Sequence, residues 1–207
     1  MADVRDVTYE LLRSHDLTTI FGNPGSNELP FLAGMPDDFR YVLGLHEGAV
    51  LAMADGYAQA RGGPALVNLH AAAGTGNALG PLTNSVYSHS PLIITAGQQV
   101  RSTIGQEVML ANVDAPALPK PLVKWSSEPA CAQDVPRSIS HAIHIANLPA
   151  KGPVYVSVPY DDWAQEAPAE AQHLLARRTS SAGSLSNSQL AELTAALDGA
   201  ERPVLVL

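Results

Sequence analysis

The chain has 207 residues, 46% of them hydrophobic, which is enough for one large domain or for one domain and the beginning of another. A net charge of -8 with no cluster of Lys or Arg argues against nucleic acid as a partner. Cys131 is the only cysteine, so no intrachain disulfide forms and a reducing compartment is expected; without a fixed basic neighbour it reads as a packing residue, not a nucleophile.

The opening residues, Met1 to Asp6, are too charged for a secretory signal, and no apolar run approaches the roughly 18 residues of a membrane helix. No membrane partner is expected, and the expected location is cytoplasmic. Val4, Val7, Leu11 and Leu12 recur at helical spacing and predict an amphipathic helix. Thr18–Phe21 predicts a short strand that runs into a Pro24-Gly25 turn, and a brief helix over 28–33 follows. A strand over Phe39–Leu45 then gives way to a helix beginning at His46-Glu47 and running through Ala58. Pro64–Leu69 predicts a third strand, residues 75–87 a helix, and Pro91–Ala96 a fourth strand. Continuous apolar runs of this kind suit strands covered on both faces. Their alternation with helices predicts an α/β fold, an open parallel sheet flanked by helices with right-handed crossovers.

From Gln98 to Pro121 periodicity gives way to turn formers, and a loop this long is expected to be functional or interfacial. Order returns at Val123-Lys124-Trp125, with a helix over 135–147 and a strand over Pro153–Val158. Residues 1–160 are therefore expected to form one domain. Residues 161–185, rich in Ala, Ser, Glu and Gln, are expected to be a linker, and 186–207 the start of a second α/β domain. The last stretch, Pro203–Leu207, reads as a strand without a partner, as in a chain that was cut.

Three strand ends carry polar groups. Ser26, Glu47 and His70 fall along one edge of the expected sheet, where open α/β sheets bind ligands. Glu47 opens an apolar, small-residue helix, so burial would raise its pKa while the helix N-terminus would lower it. Its plainer reading is a first-turn Glu favoured by the helix dipole. Ser26 before Asn27-Glu28-Leu29 is also an ordinary helix cap. A hydroxyl, a carboxylate and an imidazole invite a hydrolase triad, but Ser26 lacks the G-x-S-x-G elbow. Gly74-Thr75-Gly76-Asn77 suggests a dinucleotide loop, yet the third glycine of that motif is replaced by Leu79. His46, His89, His141 and His144 receive no role; His141 and His144 are helical neighbours with no third metal ligand in view.

The runs FGNPGSNELPFL, DFRYVLGLHEGAV, ADGYAQA, NLHAAAGTGNALG, HSPLIITAGQQ, NVDAPALPKPLVKWS and GPVYVSVPYDDW resemble the thiamine-diphosphate-dependent 2-oxo-acid decarboxylases, in particular their benzoylformate branch. The resemblance implies the pyrimidine-binding domain of such an enzyme. It implies that Glu47 hydrogen-bonds the aminopyrimidine of thiamine diphosphate, which calls for a carboxyl of elevated pKa. His70 would relay protons and Ser26 would orient the substrate carboxylate. Asn23, Pro24 and Gly25 would bring backbone to the cofactor, with the turn at Gly74 and Asn77 beside its pyrimidine ring. Met109 and Leu110 stand where pyruvate decarboxylases carry two histidines, and an apolar loop there would favour an aryl 2-oxo acid; plain packing is their alternative.

The family's metal signature, Gly-Asp-Gly followed by Asn, is absent from these residues; the ligands for Mg2+ are expected in a C-terminal domain, and none here. The implied partners are a small 2-oxo acid and further copies of the chain, as a dimer or tetramer. The implied activity is decarboxylation of benzoylformate to benzaldehyde and carbon dioxide, with this chain alone inactive. The alternatives are a pyrimidine-domain subunit that needs a partner chain, or another family activity such as acetolactate synthase or a carboligating lyase. A non-enzymatic scaffold would require Glu47→Gln to change no activity.

Overall fold

The fold is built on a core that is apolar on both sides of every central strand. The computed structural model describes residues 2–177 and 183–204. In chain order the elements are α1 (Val4–Ser14), β1 (Thr19–Gly22), a 3-10 turn (Ser26–Glu28), α2 (Leu29–Leu32), β2 (Arg40–Leu43), α3 (Glu47–Arg61), β3 (Ala65–Leu69) and α4 (Ala71–Tyr87). There follow β4 (Leu92–Gln98), α5 (Arg101–Ile104), β5 (Trp125–Ser127), α6 (Val135–Asn147), β6 (Val154–Pro159), α7 (Gln172–Leu175) and α8 (Asn187–Asp198). The six strands form one parallel sheet in the order β2-β1-β3-β4-β6-β5. The open parallel sheet flanked by helices, expected from the sequence, is therefore present.

Alternate strand residues divide between two apolar layers, as the two-residue period of a strand requires. Ile20, Leu66, Ile93, Val154 and Val156 join Leu11, Leu12, Phe31, Ile139 and Ile143 of α1, α2 and α6 on one face. Phe21, Val67, Leu69, Ile94 and Tyr155 join Val50, Leu51, Ala78 and Leu82 of α3 and α4 on the other. A strand buried on both faces has no polar side to spare, which is why these strands read as unbroken apolar runs.

The chain leaves β1 toward β2 and leaves β3 in the opposite direction, toward β4. Neighbouring connections diverge at that point and leave a crevice beyond the carboxyl ends of β1 and β3. Gly22-Asn23-Pro24-Gly25 and His70 open directly onto it.

Two expected boundaries shift. The helix expected from 75 begins at Ala71, so the Gly74–Asn77 stretch is helical and not a turn. Two glycines lower helix propensity and read as a break, but tertiary packing overrides that preference. Residues 161–175, expected as linker, pack on the sheet domain: Trp163 is buried against Phe31, and Glu166 forms a bridge to Asp3. Arg101 also pairs with the buried Asp162, whose carboxyl burial pushes above its ordinary value although the guanidinium lowers it. The capped helix expected near Ser186 is α8. Most of the expected strand Pro203–Leu207 lies outside the described residues, as does the middle of the linker. Among the described residues no helix is long and apolar enough to cross a membrane.

Leu66 is fully buried at the centre of β3. Leu66→Ala should lower stability by about 2–5 kcal/mol, read as a lower urea midpoint with an unchanged slope.

Candidate active site

Glu47 is the first residue of α3 and is 6% exposed. The preceding residue, His46, caps the helix by accepting the backbone N–H of Gly48 at its Nδ1, 3.0 Å away. Two amides meet the Glu47 carboxylate. Asn23, just past β1, donates from Nδ2 to Oε1 at 3.1 Å, and Asn77 on α4 donates from Nδ2 to Oε2 at 2.9 Å. Three separate elements thus converge on one carboxyl group. An ionised carboxylate has about four acceptor positions, so each oxygen retains capacity for a further donor.

The expectation of an elevated Glu47 pKa is not met. Burial pushes the carboxyl up and is the largest single influence. The Asn77 amide, the helix-opening backbone N–H, the Asn23 amide and His46 together outweigh it, and the net shift is below the ordinary Glu value of 4.5. The free site holds Glu47 as a charged acceptor.

His70 follows β3 directly and stands at the N-cap position of α4. Its Nδ1 lies 2.9 Å from Oε2 of Glu28, a residue whose side chain is wholly buried. The same oxygen accepts the backbone N–H of Gly25 at 2.7 Å. With an ionised Glu28, Nδ1 is the donor, which leaves Nε2 as the nitrogen free to exchange protons in the crevice. Glu28 is a site residue that the sequence reading left without a role. A signal existed in its spacing: it stands three residues after Gly25, the reach of a capping-box glutamate back to the backbone N–H that opens a helical turn.

Three glycines pack against these groups: Gly25 and Gly97 leave no room for a side chain, and Gly74 leaves little. A Cβ on Gly25 would lie 2.2 Å from Nδ1 of His70. One on Gly74 would lie 3.2 Å from Cγ of Glu47 and 3.4 Å from Cβ of His70, so this glycine is wedged between the two residues. One on Gly97, near the end of β4, would lie 2.0 Å from Oε1 of Glu28. Ala71, next to His70, has a φ of 43° in the left-handed region, a strained conformation for a side-chain-bearing residue.

Ser26 is exposed at the rim and its Oγ donates to Oδ1 of Asn27 at 3.3 Å. It does not cap the turn; Gly25 occupies that position. Pro24 is exposed beside it. Met109 and Leu110 lie on the long loop after β4, with Met109 86% exposed. The structure therefore gathers Asn23, Gly25, Glu47, His70, Gly74 and Asn77 into one crevice with Glu28. Among the described residues there is no group of three His, Cys, Asp or Glu side chains able to hold a metal ion.

The lowered Glu47 pKa has a measurable consequence. The stability it contributes is present above pH 4.5 and is lost as pH falls through the native pKa. The gap in urea midpoint between the wild type and Glu47→Gln should therefore be widest above pH 4.5 and should narrow below it. A pH-independent gap would contradict the assignment.

Comparison with known proteins agrees with this geometry. Residues 2–118 match the model of the thiamine pyrophosphate enzyme N-terminal TPP binding domain. The whole chain is 67% identical to a benzoylformate decarboxylase of Pseudomonas aeruginosa, of which it covers 39%. It is 30% identical, over 73% of its length, to the mitochondrial acetolactate synthase catalytic subunit of Saccharomyces cerevisiae, of which it covers 22%. A solved structure of a thiamine diphosphate-dependent 4-hydroxybenzoylformate decarboxylase of Rhodococcus jostii RHA1 superposes with a TM-score of 0.96 at 73% identity, over 98% of this chain and 38% of that one. The chain thus spans about two fifths of the length of these two decarboxylases. It belongs to the thiamine pyrophosphate enzymes, whose N-terminal TPP-binding domain it carries.

Proposed function

We propose that this chain forms the pyrimidine-side half of the active site of a carboxy-lyase that converts benzoylformate, or a closely related aryl 2-oxo acid, to the aldehyde and carbon dioxide. The observation that carries this reading is the Glu47 carboxylate, held at a helix N-terminus by Asn23 and Asn77 and separated only by Gly74 from the His70–Glu28 pair. The aryl 2-oxo acid is suggested by the two decarboxylases with 67% and 73% identity.

The residues present fit the pyrimidine end of thiamine diphosphate: a charged acceptor with spare capacity and two amides that hold it in place. When bound, the cofactor supplies the nucleophilic carbon and the electron sink of the decarboxylation. Glu47 takes up and holds a proton at its carboxylate, and the two amides fix which way that carboxylate faces. His70 exchanges protons at Nε2 while Glu28 holds Nδ1 and stabilises the imidazolium. Ser26 offers an exposed hydroxyl to the substrate carboxylate. Met109 and Leu110 provide apolar surface for the aryl group. The Mg2+ and diphosphate ligands belong to a further domain, and the facing half of the site belongs to another subunit of a homodimer or tetramer.

The test uses the full-length enzyme supplied with thiamine diphosphate and Mg2+. Benzoylformate should be decarboxylated far faster than pyruvate. His70→Ala should lower kcat by about 10²–10⁴-fold, followed as aldehyde release. Acetolactate formation without benzoylformate turnover would overturn the substrate assignment.

A further inference from the structure

Gln98 is the last residue of β4 and is fully buried. Its amide uses every position it has. Nε2 donates to the carbonyl of Asn112 at 2.8 Å and to Oε2 of Glu128 at 3.0 Å. Oε1 accepts the backbone N–H of Asn112 and that of Gln99, each at 2.9 Å. Two donors and two lone pairs are the full capacity of a carboxamide. Both backbone groups of Asn112 are thus held by one side chain, as a neighbouring strand would hold them. Glu128 is itself anchored, accepting from Oγ of Ser157 on β6 at 2.8 Å. Gln99 adds a second tether, donating from Nε2 to the carbonyl of Met109 at 2.9 Å.

The segment between these tethers is strained. Glu107 and Leu110 have φ values of 52° and 69°, in the left-handed region that side-chain-bearing residues rarely adopt. Such conformations persist where the surroundings hold them in place. The only exposed large apolar side chains on this stretch, among the described residues, are Met109 and Leu110, and the tethers hold its backbone at the carboxyl end of β4, the same edge of the sheet at which His70 follows β3.

We propose that Gln98 is the positioning residue for substrate selectivity. Its clamp on Asn112, seconded by Gln99 on Met109, holds Leu110 in its left-handed conformation and so fixes the apolar surface offered to the aryl group. This rests on the reading that Met109 and Leu110 face the substrate. Among the described residues both backbone groups of Asn112 are held by Gln98, with its side chain bonded separately to Tyr155, so losing the clamp loosens the loop backbone without touching Glu47 or His70.

The experiment uses the full-length enzyme with thiamine diphosphate and Mg2+, and two variants. Gln98→Glu keeps the shape but replaces the donating nitrogen with an oxygen facing the Asn112 carbonyl and Glu128. Gln99→Ala removes only the tether at the surface and guards against misfolding of the first variant. Amide exchange of residues 107–112, cofactor affinity, and kcat/KM for benzoylformate and for pyruvate are measured. Amide exchange should rise at least tenfold in Gln98→Glu, and the benzoylformate-to-pyruvate ratio should fall at least tenfold through KM for benzoylformate. Gln99→Ala should change both in the same direction by less, and cofactor affinity should stay within twofold in both. Unchanged exchange would overturn the clamp. Faster exchange with an unchanged ratio would overturn the substrate-facing role of Met109 and Leu110. An equal loss for both substrates with weakened cofactor binding would reduce Gln98 to a general structural role. A wild-type enzyme inert toward benzoylformate would instead count against the proposed function itself.

Discussion

Two carboxylates removed from water at one edge of the sheet constrain most of what surrounds them. A buried charge is costly unless hydrogen bonds replace its lost hydration. Glu47 obtains them from Asn23, Asn77 and the opening of α3. Glu28 concentrates Gly25 and His70 on a single oxygen, Oε2, and leaves Oε1 over Gly97 with no partner in the structure. Once these two groups are placed, their neighbours have little freedom. Gly25 and Gly97 have no room for a side chain, Gly74 has little, and the turn after β1 must bring both Asn23 and Gly25 inward. The imidazole tautomer follows from the same arrangement.

The sheet and the long loop divide the work differently. Glu47, His70 and Asn77 stand on or beside helices and strands whose apolar faces are buried on both sides, so their positions derive from the core. Met109 and Leu110 stand on a loop that two glutamine side chains tether. On the proposed reading, the proton-handling groups take their rigidity from the core, and the apolar surface takes its position from a few polar contacts.

Much of this was legible in the residues. Unbroken apolar runs such as Leu92–Ala96 indicated strands covered on both faces, and the strand ends indicated Ser26, Glu47 and His70. What was not legible depends on distant segments meeting. The pKa of Glu47 was expected to rise because burial is visible in an apolar helix, whereas the balance struck by amides 24 and 30 residues away is not. Gly74 and Gly76 signalled a turn locally, but both lie inside α4, where Gly74 packs against Glu47. Gln98 drew no attention because a glutamine after a strand is normally solvated, and nothing in its neighbours announces that Asn112 will fold back onto it. Trp163 lay in a stretch whose composition resembles a linker, and its contact with Phe31 is a tertiary event.

The central proposal is that Glu47 hydrogen-bonds the cofactor's aminopyrimidine and thereby enables removal of the thiazolium C2 proton. The most direct measurement is the rate at which the thiazolium C2 proton of thiamine diphosphate exchanges with deuterium on the full-length enzyme, followed by quenched-flow NMR without substrate. The account predicts rapid exchange on the wild type and a loss of about 10²–10⁴-fold on Glu47→Gln, the range expected for removing a positioned acid–base group. Exchange at the wild-type rate in that variant, with the cofactor bound, would contradict it.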